Sequence, residues 1–260
     1  MTLFVSDLHL GRGTPEATRA AERDAVAMLR AHEAPLVDGG TLVLLGDVFD
    51  QYIEYRHLVP KGAPRLVGLL ADWADRGARI LYVVGNRDPW HVDFFERDVG
   101  VTVLRRPTRV EAGGVGVYLA HGDGAGRPAG HSPLQPLLRA PLMARLYRMG
   151  LPGDAGYALA RWTARRFGSD GSATPAEADA LRDAAARLLD RPDVDVVAFG
   201  HSHAPALNTT ASGTYLNPGY WFGDRTFARL DADGAALFRW TRGAAEPFGA
   251  AGRVRTAALS

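Results

Sequence analysis

Five short polar clusters, each placed directly after an apolar run, constrain this chain more than any other feature. They are Asp7-Leu8-His9, Gly46-Asp47 with Asp50, Gly85-Asn86-Arg87-Asp88, His121-Gly122-Asp123 and Gly200-His201-Ser202-His203. The runs before them, at 2–6, 41–45, 79–84, 115–120 and 194–199, read as strands, and another strand is expected at 101–104. Runs 41–45 and 79–84 are continuously apolar, as in central strands buried on both faces. Helical patterns fill the intervals. Residues 15–33 place Ala21, Ala25, Met28 and Leu29 at helical spacing. Residues 64–76 form a similar stretch that stops before Gly77, a C-cap. Residues 174–190 open with Thr174, Pro175 and Glu177, the pattern of a capping box with proline in the first turn. After 205, short runs alternate with Gly and Asn turns and predict a β meander. This alternation predicts an α/β fold with a mixed sheet. Open α/β sheets bind ligands beyond the carboxyl ends of their strands. If the strands share one sheet and run parallel, all five clusters therefore meet at one edge.

The clusters supply carboxylates, one amide and four imidazoles: Asp7, Asp47, Asn86, His9, His121, His201 and His203, with Asp50 and Asp123 close by. Hard oxygen and borderline nitrogen donors without thiolate suit Mn2+, Fe2+ or Zn2+. They are too many for one ion of ordinary coordination number, which argues for two metals bridged by a carboxylate. The chain has no cysteine, so disulfides and thiolate sites are excluded. Its 260 residues with 47% hydrophobic and 23% charged content are ordinary for a soluble globular protein, and a net charge of +1 gives no global pointer to nucleic acid. Positive charge is almost entirely arginine, Lys61 being the single lysine. Charged Asp7 follows the first apolar run too soon for a signal-peptide core, and no run reaches the ~18 residues of a membrane span. A cytoplasmic location is the expectation.

Residues 124–170 differ from the rest. Arg127, Arg139, Arg145, Arg148, Arg161, Arg165 and Arg166 alternate there with leucines and aromatics, and prolines punctuate the segment. Two or three short helices inserted into the sheet domain are expected. The plain alternative is a helical pair packed on the core with its arginines solvated. Residues 243–260 are Gly/Ala-rich and expected to fray. His32 is expected to be a solvated surface residue. His57, His91 and His131 fall in loops as candidates for substrate contact, and Trp90, Trp221 and Phe222 are expected in the core.

The order DxH, GDxxD, GNxD, HGD, GHxH resembles the calcineurin-like metallophosphoesterase superfamily, over residues 7 to 203. Asn217-Pro218-Gly219 is similar to the turn that follows the last metal motif in that family. The resemblance implies one domain over 1–260, a four-layer αββα sandwich with mixed β-sheets, with 124–170 as a helical lid. It also implies a ligand set. Asp7, His9 and His203 would hold one cation, Asp47 would bridge, and Asn86, His121 and His201 would hold the second. Asp50 and Asp123 would orient ligand imidazoles. Asn86, Arg87, His121 and Asp123 are the expected catalytic residues. Many members carry histidine where Arg87 stands, as the acid that protonates a departing alkoxide. A guanidinium cannot serve as that acid but can clamp phosphate oxygens, so phosphoanhydride cleavage is expected over monoester hydrolysis. The alternative for Arg87 is an ion pair with Asp88.

GNRD together with the insertion resembles the UDP-2,3-diacylglucosamine pyrophosphohydrolase branch of lipid A biosynthesis. That branch implies two Mn2+ ions, with Fe2+ or Zn2+ as alternatives, and a nucleotide-diphospho-glycolipid substrate. Asn86, Arg87, Arg127, Arg139 and Arg145 would contact it. The protein would touch the cytoplasmic face of the inner membrane peripherally, with no nucleic acid and no obligate protein partner. Gly124-Ala125-Gly126 and Pro89-Trp90 depart from the branch's usual residues. The alternatives are another metallophosphoesterase, acting on a nucleotide or phospholipid diester, and a non-catalytic scaffold.

Overall fold

In the computed structural model, residues 1–125, 141–167 and 174–249 are described. Two mixed sheets stack face to face. The first contains seven strands in the order β12-β11-β10-β1-β2-β3-β4. Its parallel half is β1 (Thr2–Val5), β2 (Thr41–Leu44), β3 (Arg79–Val83) and β4 (Thr102–Leu104). Its antiparallel half is β10 (Thr226–Asp231), β11 (Gly234–Thr241) and β12 (Ala244–Pro247). The second sheet runs β5-β6-β7-β9-β8. In it, β6 (Val115–Leu119), β7 (Val196–Ala198) and β9 (Thr214–Asn217) are parallel, and β5 (Thr108–Ala112) and β8 (Ala206–Thr209) are antiparallel edges.

Side-chain alternation explains the layering. Along β1 and β2, Phe4 and Val43 point into the space between the sheets, where they meet Val117, Leu119, Val196 and Leu216 of the second sheet. Their neighbours Leu3, Val5, Leu42 and Leu44 point outward. That outer face is covered by α1 (Pro15–Ala31) and α3 (Pro64–Asp75) through Met28, Leu29, Leu66, Leu70 and Trp73. The outer face of the second sheet is covered by α7 (Pro175–Leu189), whose Leu181, Ala185 and Leu189 pack on Val197, Phe199 and Tyr215. The result is the expected αββα sandwich.

Local signals act as expected. Thr14 caps α1, its side chain accepting from the Ala17 N–H. Thr174 and Glu177 form a reciprocal capping box on α7. Short helices α2 (Glu33–Val37), α4 (Phe94–Arg97) and α8 (Trp221–Asp224) fill connections. Two helices occupy the insertion, α5 (Pro141–Gly150) and α6 (Gly153–Phe167).

Several expectations need correction. The five clusters end strands of two sheets rather than one. The strands after 205 are divided between those sheets, β8 and β9 in one and β10 to β12 in the other, so they form no single meander. Residues 244–247, expected in a fraying tail, pair with β11. His32 is half-buried, its Nδ1 2.8 Å from the Met28 carbonyl and its ring edge-on to Phe227. Trp221 lies in the core as expected, fully buried and donating to the Ala21 carbonyl. Trp90 is only half-buried and meets Tyr147 of α5 edge-on, at 4.7 Å between centroids.

His91 is buried rather than substrate-facing. Its ring stacks on Tyr52 at 4.6 Å and packs edge-on against Tyr82 and Phe95. Burial pushes its pKa down to about 3. Below pH 6.5 the unfolded chain takes up a proton that the folded chain refuses, so stability falls with pH. Between pH 7 and 5 this one group is expected to cost roughly 2 kcal/mol. His91→Phe should remove that part of the acid sensitivity, measured as a smaller drop in melting temperature from pH 7 to 5 than in the wild type.

Candidate metal centre

The carboxyl ends of β1, β2, β3, β6 and β7 come together where the two sheets meet. The turns after β1 and β2 are tied to each other by the Asp7 N–H to the Gly46 carbonyl at 3.1 Å and the His9 N–H to the Asp47 carbonyl at 2.9 Å. The turns after β6 and β7 are tied by the Gly200 N–H to the His121 carbonyl, also at 2.9 Å. His121 then bridges the sheets, with its Nδ1 2.7 Å from the Leu45 carbonyl.

These turns share a backbone feature. Asp7, His9, Asp47, His201 and His203 all have positive φ, between 42° and 66°. Left-handed backbone is uncommon outside glycine. Here it turns the chain sharply at a strand end, and the expected ligands occupy it. The glycines beside them serve close approach. A Cβ on Gly85 would meet Asp47 Oδ1 at 2.2 Å, and one on Gly200 would meet the Ser6 hydroxyl at 2.0 Å.

The ligand atoms form two overlapping groups, Asp7–His9–His203 and Asp7–Asp47–His121. Asp7 Oδ1 lies 3.6 Å from His9 Nε2 and 3.3 Å from His203 Nε2, and those two nitrogens are 3.1 Å apart. Asp47 faces both ways, Oδ1 3.5 Å from His121 Nε2 and Oδ2 3.9 Å from His9 Nε2. Asn86 Oδ1 is 3.0 Å from His121 Nε2. The His201 ring stands edge-on to His121 at 5.2 Å.

The residues fit a pair of divalent cations. Asp7 and Asp47 are buried carboxylates, and buried charge needs a partner. Asp7 Oδ2 accepts from the Ser6 hydroxyl and the His201 N–H, whereas Oδ1 is buried without a hydrogen-bond donor and faces the imidazoles. Against the opposing effect of burial, the Asp47 charge lifts the His121 pKa to about 10. A cation held there takes the place of that proton.

Supporting contacts come from residues whose roles the sequence left unassigned, as Tyr220 and Arg12, or only suggested, as Asp88, Asp50 and Asn217. Asp88 is fully buried and accepts from the N–H groups of Gly85 at 2.8 Å, Val48 at 2.8 Å and Asp47 at 3.3 Å, and from the Tyr82 hydroxyl at 2.6 Å. It ties the Gly85 turn to the Asp47 turn. Tyr220 stacks on His203 at 4.1 Å, with its rings 2° from parallel, and receives a hydrogen bond from Arg12. Arg12 also holds Asp50 at 2.9 Å, and Asp50 lies 3.5 Å from His9 Nδ1. Asn217 donates to the Gly200 carbonyl and the Ser202 hydroxyl, bracing the histidine turn. The family-like Asn-Pro-Gly turn was the signal for Asn217, and Tyr220 lies three residues beyond it.

Other expectations fall as follows. The Leu45 carbonyl, 2.7 Å from Nδ1, orients His121. Arg87 is half-buried, and its N–H donates to Asp47 Oδ1 at 2.7 Å. Arg145, on α5, and His57 are both exposed. Arg127, Arg139 and His131 lie outside the described residues.

Carboxylate, amide and imidazole donors gathered at strand ends between two stacked sheets define a metal-dependent phosphoesterase centre. The model of the calcineurin-like phosphoesterase family matches residues 1–205, and the chain belongs to that family. It is 31% identical over 227 residues to the UDP-2,3-diacylglucosamine hydrolase of Porphyromonas gingivalis, covering 77% of this chain and 82% of the relative. It is also 31% identical over 227 residues to the protein of the same name from Ralstonia nicotianae, covering 81% and 80%. Against the Stenotrophomonas maltophilia protein of that name, identity is 28% over 255 residues, covering 91% and 97%.

Replacing Asp88 by Asn leaves backbone N–H groups facing an amide that can accept at one atom only. This is expected to cost roughly 1–3 kcal/mol of stability and to lower bound metal per chain. Thermal melting and elemental analysis of the purified variant check both outcomes.

Proposed function

We propose that this chain hydrolyses the pyrophosphate bond of UDP-2,3-diacylglucosamine, releasing UMP and 2,3-diacylglucosamine 1-phosphate. The observation that carries the reading is the paired carboxylate–imidazole centre in a chain similar over most of its length to hydrolases named for that substrate. Asp7, His9 and His203 would hold one cation, Asn86, His121 and His201 the other, and Asp47, with an oxygen toward each group, would bridge them. Two divalent cations, Mn2+ by our reading, would supply Lewis acidity and activate water for attack on phosphorus.

The protein's own groups position and stabilise. Ser6 and the His201 N–H fix Asp7, and Asp88 fixes the backbone that carries Asp47. Arg12 holds Asp50 beside His9. Arg87 stands at the rim to grip phosphoryl oxygens and stabilise charge that develops on them. A guanidinium is a poor general acid, which suits a leaving group that departs as an anion. A sugar phosphate leaving from a pyrophosphate is such a group; an alkoxide is a poorer one.

The lid reading rests on α5 and α6. Arg148 donates to the Trp90 carbonyl at 3.2 Å, and Tyr147 packs on the Trp90 ring, so α5 docks beside the GNRD turn. On the same helices Leu142, Leu146, Met149, Leu159 and Trp162 are exposed, Met149 at 74% and Trp162 at 58%. Arg145 and Arg161 stand among them. Apolar side chains interleaved with arginine suit acyl chains and anionic headgroups, each buried methylene contributing about 0.8 kcal/mol. Among the described residues no helix is long and apolar enough to cross a membrane. Peripheral contact with the cytoplasmic face of the inner membrane is therefore part of the proposal.

Mn2+-supplemented protein is expected to convert UDP-2,3-diacylglucosamine to UMP and to favour it over p-nitrophenyl phosphate. Asp47→Asn should lower kcat/KM by more than the roughly 10–100-fold typical of outer-sphere partners. Arg87→His should narrow the preference for the anhydride over the monoester. A wild-type preference for the monoester in the same assay would overturn the anhydride reading. For the membrane contact, Leu146→Glu with Met149→Glu should reduce co-sedimentation with vesicles containing anionic lipid, with the melting temperature of the core unchanged.

A further inference from the structure

The metal centre has two unlike flanks. On the Asp7–His9–His203 flank sits the lid: Gly153 and Gly156 of α6 lie against Leu58 and Tyr55, and the Asp50 charge reaches the Tyr157 phenol. On the His121 flank there is no lid helix among the described residues. There an open cleft of about 530 Å³ runs from His121 and Asp123 toward the β4–β5 connection and α7. Its volume falls in the range of roughly 300–1,000 Å³ usual for small-ligand sites.

The lining of this cleft is of two kinds. Leu104, Ala184 and Leu188 supply apolar wall, while Arg105, Arg106 and Arg187 supply cations. Arg105 is committed to the fold, bonded to both oxygens of Glu96 and to the Val92 carbonyl. Arg106 and Arg187 differ. Among the described residues, neither guanidinium has an ion-pair or hydrogen-bond partner, although arginine elsewhere on this surface is commonly paired, as at Arg76, Arg109 and Arg191. A surface with apolar walls and unspent donors suits a flat group with apolar faces and a rim of acceptors. A pyrimidine base is such a group, with ring faces for the walls and carbonyl oxygens for guanidinium N–H groups. An acyl chain would leave both cations unserved.

We propose that this cleft is the nucleoside subsite. With the phosphoryl groups at the metal centre, the uridine half of the substrate extends along His121 and Asp123 into the cleft. Arg106 and Arg187 donate to the carbonyl oxygens of the base, and Asp123 accepts from ribose hydroxyls. The diacylglucosamine half leaves on the opposite side, toward the lid. The assignment rests on the pyrophosphohydrolase reading and adds to it the groups that select the nucleotide.

The test is titration calorimetry on the full-length, Mn2+-loaded chain, with UMP and inorganic phosphate as separate probes. UMP should bind more tightly than phosphate. The Arg106→Ala, Arg187→Ala double variant should bind UMP about tenfold more weakly, as expected for lost charge-assisted hydrogen bonds, with phosphate affinity changed less than about twofold on the same scale. Leu188→Trp, which narrows the cleft without touching a charge, should weaken UMP in the same selective way, and its melting temperature reports whether it folds. Wild-type preference for UMP over CMP would further support carbonyl recognition. UMP affinity unchanged in both variants overturns the subsite. If instead UMP binding responds as expected but the wild type does not hydrolyse UDP-2,3-diacylglucosamine, the subsite stands and the lipid substrate falls.

Discussion

The centre depends on a backbone that is bent against its own preference. Five candidate ligands occupy left-handed conformations at strand ends, where a residue with a Cβ is disfavoured. Such conformations cost on the order of 1–3 kcal/mol each and persist only where the surroundings over-determine them. Here the surroundings are specific. Asp88 gathers N–H groups from two turns, Asn217 holds the Gly200 carbonyl, and the Asp7 and Asp47 turns are joined by main-chain bonds. The sandwich carries the strain and brings the candidate ligands together.

Burial then decides the electrostatics. Asp7, Asp47, His9 and His121 are withdrawn from water at the junction of the sheets. Carboxylates so placed cannot rely on solvent, and the imidazoles only partly compensate for them. Burial opposes ionisation of Asp47, yet the neighbouring imidazolium keeps its pKa below the ordinary carboxylate range. Buried carboxylates of this kind need a partner charge, which a divalent cation would supply. Asp88 sits in the same environment with a different outcome. Burial and the nearby Asp47 charge raise its pKa to about 6, and its hydrogen-bond donors keep it ionised at neutral pH.

The two flanks of the centre suit the two halves of an amphipathic nucleotide conjugate. One side carries helices with exposed leucine, methionine and tryptophan beside arginine; the other carries an open cleft with apolar walls and two unspent guanidiniums. Arg87 follows Asn86 in the turn after β3, its backbone N–H donating to Asp47.

Much of this was legible in the residues. Continuous apolar runs located β1, β2 and β3 because a strand covered on both faces has no polar side to show, and Thr174 with Glu177 marked the start of α7 because a capping box is local chemistry. The candidate ligand positions were legible because each polar cluster directly follows an apolar run that forms a strand, and their order resembles a known family's motifs. β5 was missed because Thr108, Arg109, Val110 and Glu111 form a partly exposed edge strand of mixed polarity. What tertiary structure alone decided was partnership. Nothing local tells β10 to join β1 while β9 joins β7, and so nothing local shows that the clusters close over a junction of two sheets. The roles of Asp88, Tyr220 and His91 were hidden for the same reason: each is set by neighbours tens or hundreds of positions away, and contact across such distances exists only once the chain has folded.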